Sequence, residues 1–331
     1  MLKTLPLAAA LALAGLPLAA QDKPELVIYT YESFVPEWGP GPVIAANFEE
    51  VCDCTVRFVG AGDGAGLLGR LRLEGSRTEA DIVLGLDTNL TAEATATGLL
   101  VPHGIEVPEL DLPVEWTDEV FLPYDWSYFA FVYDTTEVTD APGSFEELIA
   151  SDLDIVILDP RSSTPGLGLV MWVKSAYGDR APEIWEGLRE RVVTVTPGWS
   201  EGYGLFRSGE VDMALAYTTS PAYHMIAEDD ATKAAAIFDE GHYIQVEVAA
   251  MTAASDQPEL AREFLAFMLT DGFQGVIPTT NWMYPAKLPT GGLPEGYDTF
   301  ELPSKALLYS PEDAAALRED AIAEWLAALS R

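Results

Sequence analysis

Residues 124–133 have the sequence YDWSYFAFVY, an aromatic and extended run that separates two series of alternating strand and helix signals. A second extended run, Tyr243 to Ala249, follows the later series. We interpret the two runs as paired crossovers that carry the chain out of one α/β lobe and then back into it. Two such lobes leave a cleft between them, which the loops at the carboxyl ends of the strands face.

Short apolar strands alternate with helices on both sides of the first crossover. Strands are predicted at Leu26–Tyr29, Val56–Val59, Asp81–Leu84, Ile155–Leu158, Val192–Val195 and Met213–Tyr217. Helices are predicted at Pro42–Glu50, Gly66–Glu74 and Pro182–Arg191. This alternation indicates parallel sheets covered by helices on both faces, so the predicted fold class is α/β.

The chain after the return crossover is predicted to be mainly helical. One helix carries an apolar stripe at Leu260, Phe264, Leu265 and Met268. The last helix has Ser310 as its N-cap and Pro311 at its first position, and its buried stripe is Leu317, Ala321, Trp325 and Leu329. The predicted division is a leader at 1–20, one lobe at 21–126 plus 247–331, and a second lobe at 127–246.

The first twenty residues have the pattern of a secretory signal peptide. Lys3 is their one charged residue, and an apolar run from Leu5 to Leu18 precedes Ala19-Ala20-Gln21. The apolar run is short for a membrane span, and no cysteine near the junction offers a site for lipid attachment. We therefore expect cleavage after Ala20 and a secreted, soluble protein.

Charge and cysteine content exclude several classes of partner. The formal net charge of −35 disfavours nucleic acids and anionic membrane faces, which such a surface repels. Cys52 and Cys54 are predicted to form a structural disulfide in an oxidising compartment. They and the three scattered histidines, His103, His224 and His242, do not make a convincing metal site, so no metal is expected.

Two kinds of side chain gather in the predicted cleft loops. Hydroxyl-rich or glycine-rich helix starts suit a phosphate or a carboxylate, although simple N-capping is the alternative. They supply Asp63, Gly64, Ser163, Thr164, Tyr217, Thr218, Thr219 and Ser220. Aromatic faces suit a cationic aromatic ligand, although core packing is the alternative for each tryptophan. They are Tyr31, Trp199, Tyr223 and Trp282.

A serine hydrolase is the competing interpretation. Gly198-Trp199-Ser200-Glu201-Gly202 matches the G-x-S-x-G pattern between a strand and a helix, and Asp212 or Asp239 with His242 would complete a triad. The pattern is loose, Glu201 would oppose an oxyanion, and an HGGG-type segment is missing. We therefore predict no catalytic residue and no cofactor.

The sequence resembles the periplasmic thiamine-binding proteins of ATP-binding-cassette importers. The matching segments run through nearly the whole chain in order: residues 29–34, 38–42, 52–54, 80–87, 159–168, 198–201, 217–223, 240–243 and 281–285. The resemblance implies a type II periplasmic binding protein fold, in which two lobes joined by two hinge crossovers close on a ligand.

The resemblance also implies a division of the site. Around the phosphate end it implies Asp63, Gly64, Ser163, Thr164, Trp199, Tyr217 and Ser220. Around the rings it implies Tyr31, Tyr223 and Trp282. The implied ligands are thiamine, thiamine monophosphate and thiamine diphosphate, delivered by a monomer to the permease in the inner membrane. Ferric ion, bound through Tyr217 and Tyr223, and polyamines are the rival solutes.

Overall fold

The computed structural model describes residues 23–330, so the predicted signal peptide lies outside the described residues. The strands are β1 Glu25–Thr30, β2 Thr55–Gly60, β3 Ile82–Asp87, β4 Leu100–Val101, β5 Leu122–Asp134, β6 Ile155–Leu158, β7 Val192–Thr196, β8 Met213–Tyr217, β9 Lys233–Ala235, β10 His242–Thr252, β11 Tyr284–Pro285 and β12 Ala306–Leu307. The helices are α1 Gly41–Glu49, α2 Gly64–Glu74, α3 Thr91–Ala96, α4 Phe145–Ala150, α5 Thr164–Tyr177, α6 Ala181–Leu188, α7 Trp199–Arg207, α8 Pro221–Ala227, α9 Pro258–Phe267, α10 Asp271–Gln274, α11 Ile277–Thr280 and α12 Pro311–Leu329.

The sheet is built from two halves that share one connection pattern. In the first half β1 pairs in parallel with both β2 and β3, and β10 then pairs antiparallel with β3. In the second half β6 pairs in parallel with both β7 and β8, and β5 pairs antiparallel with β8. The predicted alternation of strands and helices is confirmed, and every residue of β3 and β6 is buried.

Strands β5 and β10 join the halves, as the two extended runs predicted. They pair antiparallel from Ile244 opposite Tyr128 to Ala249 opposite Leu122. Beyond Tyr128, β5 leaves β10 and pairs with β8 instead. Both crossovers therefore lie side by side at the centre of the structure, which is the arrangement expected of a hinge. The residue boundaries of the two predicted lobes stay a prediction.

Helix α12 begins as predicted, with Ser310 as N-cap and Pro311 first. The Ser310 Oγ accepts a hydrogen bond from the Asp313 backbone N–H at 3.1 Å. The helix packs against α5 and α6 and also against α3. Ion pairs connect Lys174 with Glu324 at 2.8 Å and Arg318 with Glu93 at 2.6 Å. The C-terminal helix thus contacts elements of both halves.

The disulfide between Cys52 and Cys54 is present immediately after α1, with Cα atoms 5.3 Å apart.

Helix boundaries differ from the predicted ones by a few residues: α2 begins at Gly64 rather than Gly66, and α6 ends at Leu188 rather than Arg191. Within residues 23–330, no helix combines the length and apolar character needed to cross a membrane.

Candidate functional site

A cavity of about 580 Å³ opens where the two halves of the sheet and the crossovers meet, and we call it the central cavity. Eight of the residues predicted for the ligand site line it: Tyr31, Asp63, Thr164, Trp199, Tyr217, Ser220, Tyr223 and Trp282. The other four are buried and do not line the cavity: Gly64, Ser163, Thr218 and Thr219.

At one end of the cavity the first residues of α2 and α5 meet. The backbone N–H of Gly64 donates to the Thr164 Oγ1 at 3.0 Å. A Cβ on Gly64 would lie 2.6 Å from that oxygen, so a residue without a side chain is required for the contact. Ser163 is fully buried and caps α5, accepting from the Gly166 N–H at 3.4 Å. Two helix N-termini thus meet at this end, and their partial positive charge favours an anion there.

Asp63 occupies the N-cap position of α2 at this same end. Its Oδ2 is buried and has no hydrogen-bond partner among residues 23–330. Burial raises the pKa of this carboxyl to about 6, and the nearby Ser163 hydroxyl partly offsets the rise. A buried carboxyl with an unused oxygen can accept from a ligand when ionised or donate to a ligand oxygen when protonated.

Trp199 forms an aromatic wall beside the end of the cavity where α2 and α5 begin. Its ring stacks on Tyr203 with centroids 4.8 Å apart and planes 17° from parallel. The Tyr203 hydroxyl hydrogen-bonds the His224 Nε2 at 2.9 Å, and the His224 Nδ1 lies 2.7 Å from the Glu228 Oε2. This chain of contacts fixes the orientation of the Tyr203 ring, and so supports Trp199 from behind.

Tyr223 and Trp282 form a second aromatic wall. Their rings meet edge to face with centroids 5.5 Å apart. Trp282 has a φ of 59°, which a bulky residue rarely adopts, and its backbone N–H donates to the Ile277 carbonyl at 3.0 Å. Strained conformations of this kind cluster at binding sites, where the surrounding structure holds them in place.

Tyr31 lies at the end of β1, as predicted, and its ring packs against Gly85. A Cβ at Gly85 would lie 2.3 Å from the Tyr31 Cδ1, and Gly85 has a φ of 106°. The Tyr31 hydroxyl bonds the Glu247 Oε2 and the Asn281 Oδ1, both at 3.1 Å. The tyrosine is thereby oriented by three separate parts of the chain.

The loop after β8 divides its hydroxyl groups between the cavity and the interior. Thr218 and Thr219 are buried and contact the Ser127 Oγ at 3.2 and 2.9 Å, so they attach the loop to β5. Ser220 lines the cavity, and its Oγ accepts from the Tyr217 N–H at 3.1 Å. The Tyr217 hydroxyl donates to the Gln245 Oε1 at 3.0 Å.

Sequence reasoning missed two charged residues of the cavity, Glu247 and Arg207. Glu247 lies on crossover β10, and the mainly apolar sequence of that strand predicts a structural role. A single glutamate inside such an apolar run is the sequence feature that could have indicated a site residue. Arg207 ends α7 and donates to the Glu228 Oε1 at 2.8 Å. Its guanidinium carbon lies 5.1 Å from the centre of the Tyr223 ring.

The model of the family described as "Bacterial extracellular solute-binding protein" matches residues 36–275, most of the chain. The chain belongs to this family. Over 322 residues it is 52% identical to the thiamine-binding periplasmic protein of Brucella melitensis, covering 97% of this chain and 96% of the relative. Identity to the thiamine-binding periplasmic protein of Escherichia coli K12 is 50% over 311 residues, covering 93% and 94% of the two chains.

Solved structures show the same relationship. A periplasmic thiamin binding protein superposes with a TM-score of 0.91 at 50% identity, covering 96% of this chain and 100% of the other. The fructose-6-phosphate-bound AfuA of Actinobacillus pleuropneumoniae gives a TM-score of 0.77 at 16% identity and covers 93% and 99%. Because its identity is low, AfuA is informative about the fold alone. The solute-binding protein therefore has the predicted type II periplasmic binding protein fold.

The hydrolase triad is not assembled in this solute-binding protein. Ser200 lines the cavity, but both ring nitrogens of His242 are engaged by backbone groups, the Phe129 carbonyl and the Phe238 N–H, each at 2.7 Å. The Asp212 Oδ2 accepts from the Asp154 N–H. His242 is fully buried, and burial lowers its pKa to about 4. It therefore has no free nitrogen with which to activate Ser200.

The rival metal site receives little support from the geometry. Among residues 23–330, no group of three or more His, Cys, Asp or Glu side chains is arranged to hold an ion. The two tyrosines considered for ferric ion have other partners: Tyr217 bonds Gln245, and Tyr223 donates to the Glu228 Oε1 at 2.8 Å.

Proposed function

We propose that this protein is the periplasmic component of an ATP-binding-cassette importer that binds thiamine, thiamine monophosphate and thiamine diphosphate and delivers them to the membrane permease. One observation carries the proposal. The central cavity combines aromatic walls with an end formed by helix starts, in a chain at least half identical along its length to proteins named thiamine-binding.

The rings of thiamine bind between Tyr31, Tyr223 and Trp282. A permanently cationic thiazolium gains about 0.5–2 kcal/mol over the face of an aromatic ring, and more where water is excluded. All three side chains line the cavity; the hydroxyl of Tyr31 is held by hydrogen bonds, and the ring of Trp282 is in edge-to-face contact with Tyr223.

The phosphate groups of the esters bind at the end formed by α2 and α5. Thr164, Ser220, Tyr217 and Trp199 face the cavity there, and Asp63 is the carboxyl among them. Gly64, Ser163, Thr218 and Thr219 support this end from behind through the hydrogen bonds described above. The protein acts by binding, with no chemical step, so Ser200→Ala leaves thiamine affinity nearly unchanged.

Ligand binding closes the cleft about β5 and β10. The Gly64–Thr164 hydrogen bond joins a helix of the first half to a helix of the second, and such a contact favours the closed form. A ligand drives closure only through its greater affinity for that form. The closed monomer then presents both halves to the permease in a fixed arrangement.

Mass spectrometry of the small molecules released from the protein purified without added ligand tests the proposal. We expect thiamine or one of its phosphates in the denatured extract. Recovery of a polyamine or of iron in stoichiometric amount, with no thiamine form, contradicts the assignment.

A further inference from the structure

Three buried carboxyl groups lie in a row across neighbouring strands beneath the central cavity. In the register of the sheet, Glu247 on β10 lies opposite Asp87 on β3 and opposite Asp125 on β5. Asp87 and Asp125 have no exposed surface, and Glu247 is 5% exposed. Burying several ionised carboxylates side by side is costly, so such a row needs a reason.

Glu247 is the member of the row that lines the cavity. Its Oε2 accepts from the Tyr31 hydroxyl at 3.1 Å, from the Tyr124 hydroxyl at 3.0 Å and from the Asn281 Nδ2 at 3.4 Å. Neutral groups thus fix the position of the carboxylate, and it forms no ion pair with a lysine, arginine or histidine of residues 23–330.

Resting on the proposed function, we propose that Glu247 is the residue that recognises the positive charge of the ligand, and that binding of the cationic ring releases a proton shared by Glu247 and Asp125. The thiazolium then supplies the positive counter-charge that Glu247 does not receive from a side chain of residues 23–330. Aromatic faces attract a cation only weakly by comparison, and they also accept neutral rings of the same shape.

The geometry of Glu247 and Asp125 explains why the pair retains a proton. The Asp125 Oδ2 accepts from the Asn281 Nδ2 at 2.6 Å, while its Oδ1 has no partner among the described residues. Burial raises the pKa of Glu247 to about 7 and the pKa of Asp125 well above its ordinary value. The charge of Glu247 raises the pKa of Asp125 further, whereas the hydrogen bond from protonated Asp125 partly offsets the rise for Glu247. Near neutral pH the pair therefore retains a proton, which a cation placed beside it expels.

The groups around Glu247 do not supply a positive counter-charge, so the ligand can supply it. The titratable groups that face it are Asp87 from β3, Tyr124 and Asp125 from β5, Tyr31 after β1, and Tyr217 from β8. Burial raises the pKa of each of these tyrosines, so they are neutral donors. Among the described lining residues, the one cation is Arg207, which pairs with Glu228.

Comparison of thiamine with 3-deazathiamine, its neutral isostere in which a thiophene replaces the thiazolium, tests the charge recognition. We expect the wild-type protein to prefer thiamine by about tenfold or more, which corresponds to about 1.4 kcal/mol. Glu247→Gln preserves shape and hydrogen bonding and should remove most of this preference by weakening thiamine binding. Glu210→Gln, the same charge change at an exposed position, should keep it.

Calorimetry in buffers of different ionisation enthalpy measures the released proton. We expect release near pH 7 with thiamine and much less with the isostere; both carry the same aminopyrimidine, so proton exchange on that ring cancels. Asp125→Asn should reduce the release, because one of the two titrating carboxyls is gone, yet keep the preference for thiamine, because Glu247 remains as the counter-charge. Circular dichroism and thermal unfolding identify any variant that has not folded.

The outcomes separate this inference from the proposed function. Tight binding of thiamine and its isostere with equal affinity, or a charge preference unchanged in folded Glu247→Gln, overturns the inference while thiamine binding stands. Failure of the wild-type protein to bind thiamine at all overturns the proposed function.

Discussion

At the scale of single residues, the site depends on backbone conformations that few amino acids tolerate. Gly85 combines a φ of 106° with a position directly against the Tyr31 ring. Gly85→Ala should therefore strain the backbone by about 1–3 kcal/mol and also push Tyr31 out of place. We expect a lower melting temperature and thiamine affinity reduced by about tenfold, measured by thermal unfolding and titration.

Gly98→Ala is the matched control for Gly85→Ala. Gly98 has a φ of 66°, but a Cβ there would meet nothing within 4 Å. This variant should lose stability through backbone strain while keeping its thiamine affinity. Equal affinities for thiamine in both variants would show that Tyr31 does not depend on Gly85.

Trp282→Ala should weaken thiamine, its monophosphate and its diphosphate by similar factors, because the rings are common to all three. The expected loss is about tenfold, in line with one cation–aromatic contact in a site shielded from water. Titration of the three ligands against one variant measures this directly. A loss confined to the phosphorylated forms would mean that Trp282 lies at the phosphate end.

Residue types were predictable from the sequence to a useful extent, but the direction of each side chain was not. The cleft loops and their aromatic and hydroxyl residues could be read from strand ends. Whether Thr218 or Ser220 turns toward the cavity depends on the loop's bond to Ser127, a partner about ninety positions away. Glu247 was not predicted as a site residue because its apolar neighbours indicate a strand with a purely structural role.

At the scale of elements, α12 connects the halves and its start is defined by one side chain. Ser310→Ala removes the cap of the Asp313 N–H and should cost about 1 kcal/mol of the free energy of unfolding. Urea unfolding measures the loss, and thiamine affinity should not change. Ser330→Ala, at the exposed far end of the helix, should change neither; a loss equal to that of Ser310→Ala would argue against the cap.

Elements were predicted well because their signals are local. Strands β6 and β8 agree with their predicted bounds, since each is a short apolar run with polar neighbours. The sequence predicts the start of helix α2 two residues too late, because the first turn of the helix is rich in glycine, which is typical of a loop. The pairing of β5 with β10 was predictable only as a consequence of the two-lobed arrangement, since strand register depends on distant residues.

At the scale of the whole molecule, the buried carboxyls make stability depend on pH. Burial raises the pKa of Glu247 and of Asp87 to about 7, whereas the unfolded chain ionises them near 4. Between about pH 6.5 and 8 the native state therefore holds more protons than the unfolded state, so stability falls as pH rises. The buried histidines have lowered pKa values and oppose this trend only below about pH 6.5.

Melting temperatures of the ligand-free protein from pH 6.5 to 8 test this dependence. Each linked proton contributes at most about 1.4 kcal/mol per pH unit. We expect a decrease for the wild-type protein that becomes shallower toward pH 8, as Glu247 and Asp87 ionise in the native state, and a smaller decrease for Glu247→Gln. A melting temperature that stays constant or rises over this range would contradict the account, because carboxyls already ionised in the native state contribute no decrease.

The most direct test of the central claim is calorimetric titration of the ligand-free protein with thiamine, spermidine and ferric ion. The proposed function predicts one thiamine bound per chain with a Kd below about 1 µM, equivalent to more than about 8 kcal/mol, and no comparable affinity for the other two solutes. Absence of thiamine binding, with tight binding of spermidine or ferric ion, would contradict it.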